Sequence, residues 1–393
     1  MPHLPDLQAV PTRRLPADER LPTGDRPAAG PDRRPTAVVY CEGNFGATDG
    51  KTANGLVRHS ERYRILSVVD SGQSGRDAGE VLGDGASGIP VVRDLAAAVR
   101  RHGAVPDVLV FGVAPTGGML SPAERAVLLG AMGQGIGIVN GLHEFLNEDA
   151  EFAAAAEASG VTIEDVRRPR AKRDLRMFSG RIAGVTCPRI AVLGTDGAIG
   201  KRTTATILTR ALNDRGIRAV LVGTGQTGLI QGARYGVALD AVPCQFASGE
   251  MEAAVVEAFE GEHPDVIVVE GQGALSHPAY LSSTFILRGS RPDAVILQHA
   301  PARLKTGDFA DVPTPEPASE ITLIQTFADT RVIGLTLNHE NMSDAEVDDA
   351  IARYESELGI PATDALTRPT DRLVDMVVGA FPALGRTPVA RAS

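Results

Sequence analysis

The chain has 393 residues, of which 43% are hydrophobic and 22% charged, as is ordinary for a soluble protein of two or three domains. Its net charge of −10 argues against a general nucleic-acid binder, because contacts to phosphates need clustered Lys and Arg. The sequence shows no apolar run of the roughly 20 residues that cross a bilayer, no signal-peptide core and no metal-type cysteine spacing. We therefore expect a soluble, cytoplasmic protein with no membrane or nucleic-acid partner and no protein-bound metal, and we also expect a homo-oligomer.

The first 35 residues differ in composition from the rest. Eight prolines are scattered among Arg, Asp and Glu, without a hydrophobic period. Such a segment cannot bury enough apolar surface to fold. Residues 1–35 are predicted to form a disordered tail, the alternative being a segment that binds a partner.

Residues 36–165 are predicted to form a first α/β domain. Short apolar runs indicate strands, and periodic segments between them indicate helices, one of which begins after Ser121 with Pro122 in its first position and Glu124 completing a capping box. The predicted strands are 37–40, 63–69, 89–92, 107–113 and 137–140, and the other predicted helices are 95–101 and 142–159. Parallel strands joined by crossover helices imply a Rossmann-like domain. No G-x-G-x-x-G follows the first strand, so no NAD site is expected.

The loop after the first strand, residues 41–52, is rich in glycine, but only three residues separate Gly46 from Gly50. That spacing does not match a phosphate-binding loop. Ligands of α/β proteins bind beyond the carboxyl ends of strands, so this loop is expected to line a cleft. Lys51 and Arg58 are predicted to bind an acidic ligand there, the alternative being that both are solvated helix charges.

Residues 166–188 are predicted to be an interdomain linker. Five Arg or Lys residues lie between Arg167 and Arg173. They could help to bind an anion, but a solvated connector is favoured.

The second domain, residues 189–393, opens with a phosphate-binding loop. A buried strand, 190–193, enters a glycine-rich turn that ends at Gly200-Lys201, and a helix follows from 203 to 213. In such a layout, backbone N–H groups and a helix N-terminus point at an anion, and the lysine reaches the outer phosphates. The predicted phosphate-binding residues are Gly194, Thr195, Asp196, Gly197, Ala198, Ile199, Gly200, Lys201, Arg202, Thr203 and Thr204.

This loop departs from the usual pattern in two ways. Five residues instead of four separate Gly194 from Gly200, and Arg202 stands where a magnesium-binding hydroxyl is usual. Thr203 or Thr204 could still supply that hydroxyl.

Two further strand ends in this domain carry polar groups. The strand 217–222 leads into a second glycine-rich loop, in which Gly225, Gln226 and Thr227 are predicted to touch the same ligand. The apolar strand 265–269 delivers Glu270 and Gln272 to its end. An acidic residue there commonly serves magnesium, and a capping carboxylate is the alternative.

Candidate substrate contacts follow. His277 and Tyr280 come soon after Glu270, and His277 could take a proton from an amine near neutral pH or be a structural histidine. Arg303 and Lys305 follow the strand 293–297 and suit a carboxylate or a nucleotide base. The remaining predicted helices are 249–260, 319–327, 344–358 and 372–378, and the remaining predicted strands are 332–337 and 360–362.

The phosphate loop, the loop 223–228 and Glu270-Gly-Gln-Gly273 together resemble the dethiobiotin-synthetase-like branch of P-loop proteins. Residues 37–380, with His277-Pro-Ala-Tyr280 as a further motif, more closely resemble a two-domain family long catalogued only as a domain of unknown function. That family includes the D-glutamate N-acetyltransferases. The resemblance implies a Rossmann-like N-terminal domain followed by a P-loop NTPase-like α/β domain.

The resemblance also implies a reaction. Acetyl-CoA would be the donor, with its phosphates on residues 197–204, and an acidic amino acid would be the acceptor. Glu270 or His277 would deprotonate the amine, while Gln272, Tyr280 and the basic residues already named would bind the acceptor. An ATP- and Mg-dependent ligase or kinase is the main alternative, and a nucleotide-binding regulatory protein is a third.

Overall fold

A computed structural model describes residues 34–115 and 117–385. The tail predicted for residues 1–35 lies almost wholly outside this part of the chain, so that prediction stays a prediction. Within the described ranges, no helix combines the length and the apolar character needed to cross a membrane.

The N-terminal domain is built on a six-stranded sheet. Its strands are β1 (Thr36–Tyr40), β2 (Arg64–Val69), β3 (Val91–Val92), β4 (Val108–Phe111), β5 (Gly137–Asn140) and β6 (Ile163–Asp165). Its helices are α1 (Lys51–Arg58), α2 (Ala78–Val81), α3 (Leu95–His102), α4 (Pro122–Met132) and α5 (Ala150–Ser159). The order β3-β2-β1-β4-β5-β6, with every pairing parallel, is the strand order of dinucleotide-binding domains. The predicted Rossmann-like architecture is confirmed.

The helix predicted from residue 142 begins only at Ala150, and the cause lies far away in the sequence. The buried carboxylate of Asp165, on β6, accepts the backbone N–H groups of Leu146 and Asn147, both at 3.0 Å. These bonds keep Leu146 and Asn147 out of the helix. The side chain of Asp149 caps the N-terminus of α5. The capping box predicted at Ser121 is present on α4.

The C-terminal domain is built on a seven-stranded parallel sheet with a small hairpin at its edge. Its strands are β7 (Arg189–Gly194), β8 (Ala219–Gly223), β9 (Tyr235–Gly236), β10 (Val266–Glu270), β11 (Ala294–His299), β12 (Lys305–Thr306), β13 (Phe309–Pro313), β14 (Arg331–Leu337) and β15 (Ala362–Asp364). Its helices are α6 (Lys201–Asp214), α7 (Gln226–Gln231), α8 (Cys244–Glu262), α9 (Ser282–Ser290), α10 (Pro317–Phe327), α11 (Asp344–Leu358) and α12 (Asp371–Ala380). The order is β15-β14-β11-β7-β10-β8-β9, while β12 and β13 pair only with each other.

Strand β7 lies inside this sheet, and both of its faces are covered. Ala191 and Leu193 pack into one hydrophobic cluster, whereas Ile190 and Val192 pack into another on the opposite face. A strand buried on both faces needs a continuous apolar run, and this run is the reason why the sequence predicts β7. The strand delivers the phosphate loop to the centre of the carboxyl edge of the sheet.

Helix α8 begins at Cys244, five residues before the predicted start at Gly249. Gly249 lies inside the helix, where a Cβ would come within 2.2 Å of the Arg176 carbonyl oxygen. The glycine permits close approach of the preceding chain and does not mark a helix boundary.

Four of the five basic residues between Arg167 and Arg173 are exposed, as expected for a solvated connector, but Arg167 is not. Arg167 is buried, and its Nε donates to the Gly141 carbonyl oxygen in the N-terminal domain at 2.6 Å. Its guanidinium also pairs with Asp240 in the C-terminal domain. Farther along, Arg176 forms a 2.8 Å bond to the buried carboxylate of Glu250. Arg167 therefore links the two domains, through a hydrogen bond to the N-terminal domain and an ion pair with the C-terminal domain.

Candidate functional site

The phosphate-binding loop runs from the end of β7 to the start of α6. Gly200 precedes the helix with a φ of +102°, and a Cβ on Gly194 would come within 2.9 Å of the Gln298 carbonyl oxygen. Ala198 also has a positive φ of 48°, which is costly for a residue with a Cβ and is often found at functional sites. Among the described residues, no side chain caps α6, so the first N–H groups of this 14-residue helix are available to an anion.

Lys201 lies inside this loop and is only 5% exposed. Its ammonium donates to the backbone carbonyl of Asp196. Burial lowers the pKa of Lys201 to about 7, although the charge of Asp196 opposes that shift. A phosphate placed beside it would favour the charged form.

Arg303, predicted to bind substrate, instead holds the loop in place. Its guanidinium donates to the Asp196 carboxylate and to the Gly197 carbonyl oxygen, both at 2.9 Å. It also forms a two-point pair with Glu340 at 2.6 and 2.8 Å. With these partners satisfied, Arg303 supports the fully buried Asp196 and not a substrate carboxylate. Lys305 is exposed on β12, and its side chain makes no hydrogen bond or ion pair with another described residue.

The end of β11 fixes the two ends of the loop. His299 Nδ1 lies 2.8 Å from the Thr195 hydroxyl, and its Nε2 lies 3.0 Å from the Tyr354 hydroxyl. Burial lowers the pKa of His299 to about 4, so the ring is neutral at physiological pH. The Thr204 hydroxyl donates to Gln298 Oε1 at 2.6 Å. Thr203, two residues after Lys201, lines a different cavity.

His277 lies at the mouth of the loop and is oriented as a proton donor. Its Nδ1 accepts the backbone N–H groups of Ala279 and Tyr280 at 3.2 and 3.3 Å, so the neutral ring carries its proton on Nε2. Nε2 is buried without a hydrogen-bond partner among the described residues, 3.9 Å from carboxylate oxygens of both Asp196 and Asp308. Burial lowers the pKa of His277, which favours this neutral form. The predicted role as a general base does not fit, because the only nitrogen facing the site already holds a proton.

Tyr280 and the hairpin β12–β13 complete this wall. The Tyr280 ring stacks on His277 with 4.3 Å between centroids, and its hydroxyl donates to Asp308 at 2.9 Å. A cavity of about 300 Å³ beside them is lined by His277, Thr195 and several prolines. Its mainly apolar lining suits a small uncharged group.

Glu270 lies on the other side of Lys201. It is 4% exposed, and its carboxylate accepts the Thr224 N–H at 3.0 Å. Burial raises its pKa, while the positive charges of Arg202 and Lys201 oppose that rise. Gln272, predicted to bind substrate, donates to the Thr224 hydroxyl at 2.8 Å and thereby supports the loop that positions Glu270.

Arg202, which departs from the usual sequence pattern of the loop, also has unusual surroundings. It makes no hydrogen bond or ion pair with any residue that the structure describes, although it is attracted by the charge of Glu270. Its guanidinium lies against α1 of the other domain, where a Cβ on Gly55 would come within 2.6 Å of Nη2. A cation in this position has capacity for an anionic ligand.

The segment 223–228, predicted as a loop, includes the first residues of α7 and forms part of the domain interface. The Thr227 and Thr52 hydroxyls lie 3.0 Å apart, and a Cβ on Gly141 would meet Gln226 at 3.1 Å. The predicted ligand contacts Gln226 and Thr227 therefore touch the N-terminal domain, whereas Gly225 lies against Gln272.

The structure separates Lys51 from Arg58, which stand at opposite ends of α1, about 10 Å apart along the helix axis. Lys51 is exposed in the cleft above the phosphate loop, where the surrounding protein and then the charge of Arg167 lower its pKa. Arg58 bonds Asp84 at 2.7 Å and lines another cavity. Only Lys51 of this pair is brought to the predicted cleft.

Two residues of this region were not predicted as site residues. Asp308 faces both His277 and Tyr280, and Arg167 brings a buried positive charge near Lys51. Neither belongs to a motif. The glycine at 307, whose N–H bonds Asp196 at 2.9 Å, was the one local sign that the hairpin approaches the loop.

The chain is similar to known proteins in sequence and in fold. Two models of one family match it: a Rossmann-like domain of unknown function, DUF1611_N, at residues 71–169, and a P-loop domain, DUF1611_C, at residues 176–374. A protein from Tritonibacter scottomollicae named D-glutamate N-acetyltransferase is 35% identical over 274 residues, which are 68% of this chain and 80% of that protein. A Pseudoalteromonas protein with the same name is 31% identical over 272 residues, 67% of this chain and 79% of its own. A crystal structure of a DUF1611 family protein from Anabaena variabilis has a TM-score of 0.81 and 33% identity, and covers 88% of this chain and 100% of its own.

Proposed function

The chain belongs to the DUF1611 family, and from this premise we propose that it is an N-acetyltransferase that moves an acetyl group from acetyl-CoA to the amino group of an acidic, D-glutamate-like amino acid. The observation that carries the acetyl chemistry is the name shared by the two relatives at 35% and 31% identity. The observation that supports acetyl-CoA as the donor is the phosphate loop with its buried lysine.

The loop residues fit the donor's phosphates. The uncapped N-terminus of α6 offers backbone N–H groups, and Lys201 offers an ammonium whose charge an incoming phosphate would restore. Arg202, which has no hydrogen-bond partner among the described residues, adds a second cation. Coenzyme A carries a diphosphate and a ribose phosphate. The backbone N–H groups and the two cations therefore suit coenzyme A as well as they suit ATP.

In the reaction, the amine nitrogen attacks the thioester carbonyl carbon, the carbon–sulfur bond breaks, and the nitrogen loses a proton while the thiol leaves. Negative charge develops on the carbonyl oxygen, and a preorganised donor in a buried site stabilises it. The Nε2–H of His277 is such a donor, because it is buried and no residue in the described part of the chain accepts its hydrogen bond. Glu270, whose pKa burial raises, is the proposed proton acceptor.

The acceptor's carboxylates would meet Lys51, which the N-terminal domain holds over the cleft. The charges of Arg167 and Arg202 disfavour the protonated ammonium of Lys51, and a carboxylate would relieve that repulsion. This assignment makes the cleft between the domains, and not the P-loop domain alone, the acceptor site.

Release of CoA, followed with a thiol reagent across a panel of D- and L-amino acids, tests the proposal. The expected result is turnover with an acidic amino acid, and D-glutamate is the first candidate. His277→Gln keeps an N–H donor and should retain more activity than His277→Ala, while both should bind acetyl-CoA. Tight binding of ATP with Mg and no response to acetyl-CoA in a calorimetric titration would overturn the proposal.

An ATP- and Mg-dependent ligase or kinase is the second candidate function. One observation favours it: Thr204 gives its hydroxyl hydrogen to Gln298, which leaves the oxygen lone pairs for a cation. Arg202 in the usual magnesium-ligand position opposes it. The same titration, run with and without Mg, separates the two candidates.

A further inference from the structure

A second cavity, of about 550 Å³, lies between the domains and is distinct from the one beside His277. One wall is a face of α6 that includes Thr203 and Arg210, and the opposite wall is the end of α1 with the glycine-rich loop 79–87. We propose that this cavity binds the 3′-phosphoadenosine end of coenzyme A, with Arg210 as the partner of the 3′-phosphate. This inference rests on the proposed function, since it concerns the donor of that reaction.

The cavity adjoins the phosphate loop directly. Thr203 lies two residues after Lys201, within the first turn of α6, and Thr206 continues the same wall. A nucleotide whose diphosphate bound at the helix N-terminus would extend its ribose toward this wall. The N-terminal domain closes the other side, so the cavity exists only in the two-domain protein.

Two buried polar atoms of the wall have no hydrogen-bond partner within residues 34–115 and 117–385. Gln231 is 6% exposed, and its amide nitrogen donates to the carbonyl oxygens of Gly55 and His59 at 2.6 and 2.8 Å. These bonds fix the amide orientation. They leave Oε1 buried, and neither this atom nor the buried His59 Nδ1 has a hydrogen-bond partner in the described part of the chain. Unsatisfied polar atoms of this kind are rare in native proteins and mark places where a ligand can complete the hydrogen bonding. An acceptor such as Gln231 Oε1 suits the exocyclic amine of adenine.

The side chains of Val57, Ile207 and Leu366 add apolar surface to the same lining. A purine presents two apolar faces and a polar edge, so this mixture matches a base better than it matches a metal ion or a free phosphate.

The charge at the far end of the cavity indicates which adenine nucleotide fits. Arg210 lines the cavity and makes no hydrogen bond or ion pair with any described residue. It lies seven residues beyond Thr203, about 10 Å along the helix. Arg58, on the facing wall, already donates a hydrogen bond from Nε to Asp84. A phosphate on the ribose, which coenzyme A has and ATP lacks, would complete the pairing of Arg210.

Calorimetric titration with coenzyme A, dephospho-coenzyme A and adenosine 3′,5′-bisphosphate tests the assignment on the full chain. The wild-type protein should bind coenzyme A about tenfold more tightly than the dephospho form, the factor of one charge-assisted hydrogen bond. Arg210→Ala should reduce that ratio to near one, while Arg100→Ala, an exposed change on α3, should preserve it. An unchanged ratio in Arg210→Ala would overturn the role of Arg210.

A second variant tests the cavity itself. Ala86 is exposed at its rim, so Ala86→Trp should obstruct entry without disturbing a core, and Ala96→Trp on the exposed face of α3 is the matched control. The first change should raise KM for acetyl-CoA at least tenfold, and the control should not. Acetyl transfer with normal KM in both Ala86→Trp and Arg210→Ala would refute this inference while leaving the proposed function intact. Binding ratios as expected, but no acetyl transfer with any acceptor, would refute the function and leave the nucleotide site standing.

Discussion

Gly228, in helix α7, provides the sharpest test of how the site is packed. A Cβ at this position would lie 2.4 Å from Glu270 Oε2 and 3.2 Å from its Cδ. Ordinary carbon contacts begin near about 3.5 Å, so Gly228→Ala forces the carboxylate to retreat by about 1 Å. Glu270 is buried and bonded to the Thr224 N–H at 3.0 Å, so the retreat must weaken that bond.

The expected cost follows from the bond that is strained. A hydrogen bond to a charged group contributes about 1.5–3 kcal/mol, and overpacking a buried site costs about 1–3 kcal/mol. We expect Gly228→Ala to lower the free energy of unfolding by about 2 kcal/mol, which for a domain of this size lowers Tm by about 4–8 °C. If Glu270 acts on the substrate, displacement by about 1 Å should also reduce kcat by roughly 100-fold.

Gly130 provides the control. It lies inside α4, has nothing within 4 Å of an added Cβ, and has no positive φ. Gly130→Ala should therefore stabilise the protein by about 0.4–1 kcal/mol and leave activity unchanged. Thermal unfolding and acetyl transfer are measured for both variants. If Gly228→Ala matched Gly130→Ala in Tm and kcat, the packing of Glu270 against α7 would be refuted.

Three further predictions concern titration and helix capping. Because burial lowers the pKa of His299 to about 4 from an unfolded value near 6.5, the unfolded state binds more protons between these values, and stability must fall as the pH drops through that window. From pH 7 to pH 5, wild type should lose about 2 kcal/mol more than His299→Gln in urea unfolding, and parallel pH profiles would contradict this. Since burial lowers the pKa of Lys201 to about 7, acetyl-CoA binding above pH 7 should be accompanied by the uptake of a proton, which calorimetry in buffers of different ionisation enthalpy detects. The uptake should vanish in Lys201→Arg, and its persistence there would assign the proton to another group. Ser121→Ala removes the N-cap of α4 and should lower the free energy of unfolding by about 1 kcal/mol, measured against the neighbouring exposed change Ala123→Ser as control.

The sequence alone determined the architecture and the position of the P-loop. Strands such as β7 are buried on both faces, so their apolar runs are continuous and visible without any partner. The phosphate loop was equally readable, because close approach of the backbone requires glycine at fixed positions such as Gly194 and Gly200. Both signals are local in the chain.

Only the tertiary structure decided what the polar side chains do. Arg303 was predicted to bind substrate, yet its guanidinium bonds to the carboxylate of Asp196, 107 residues away. His277 looked like a base until two backbone N–H groups fixed its proton on Nε2, and Arg167 looked solvated until Asp240 and the opposite domain surrounded it. A side chain's role depends on the partners and the burial that distant segments bring to it, and neither is encoded in the residue's own neighbourhood.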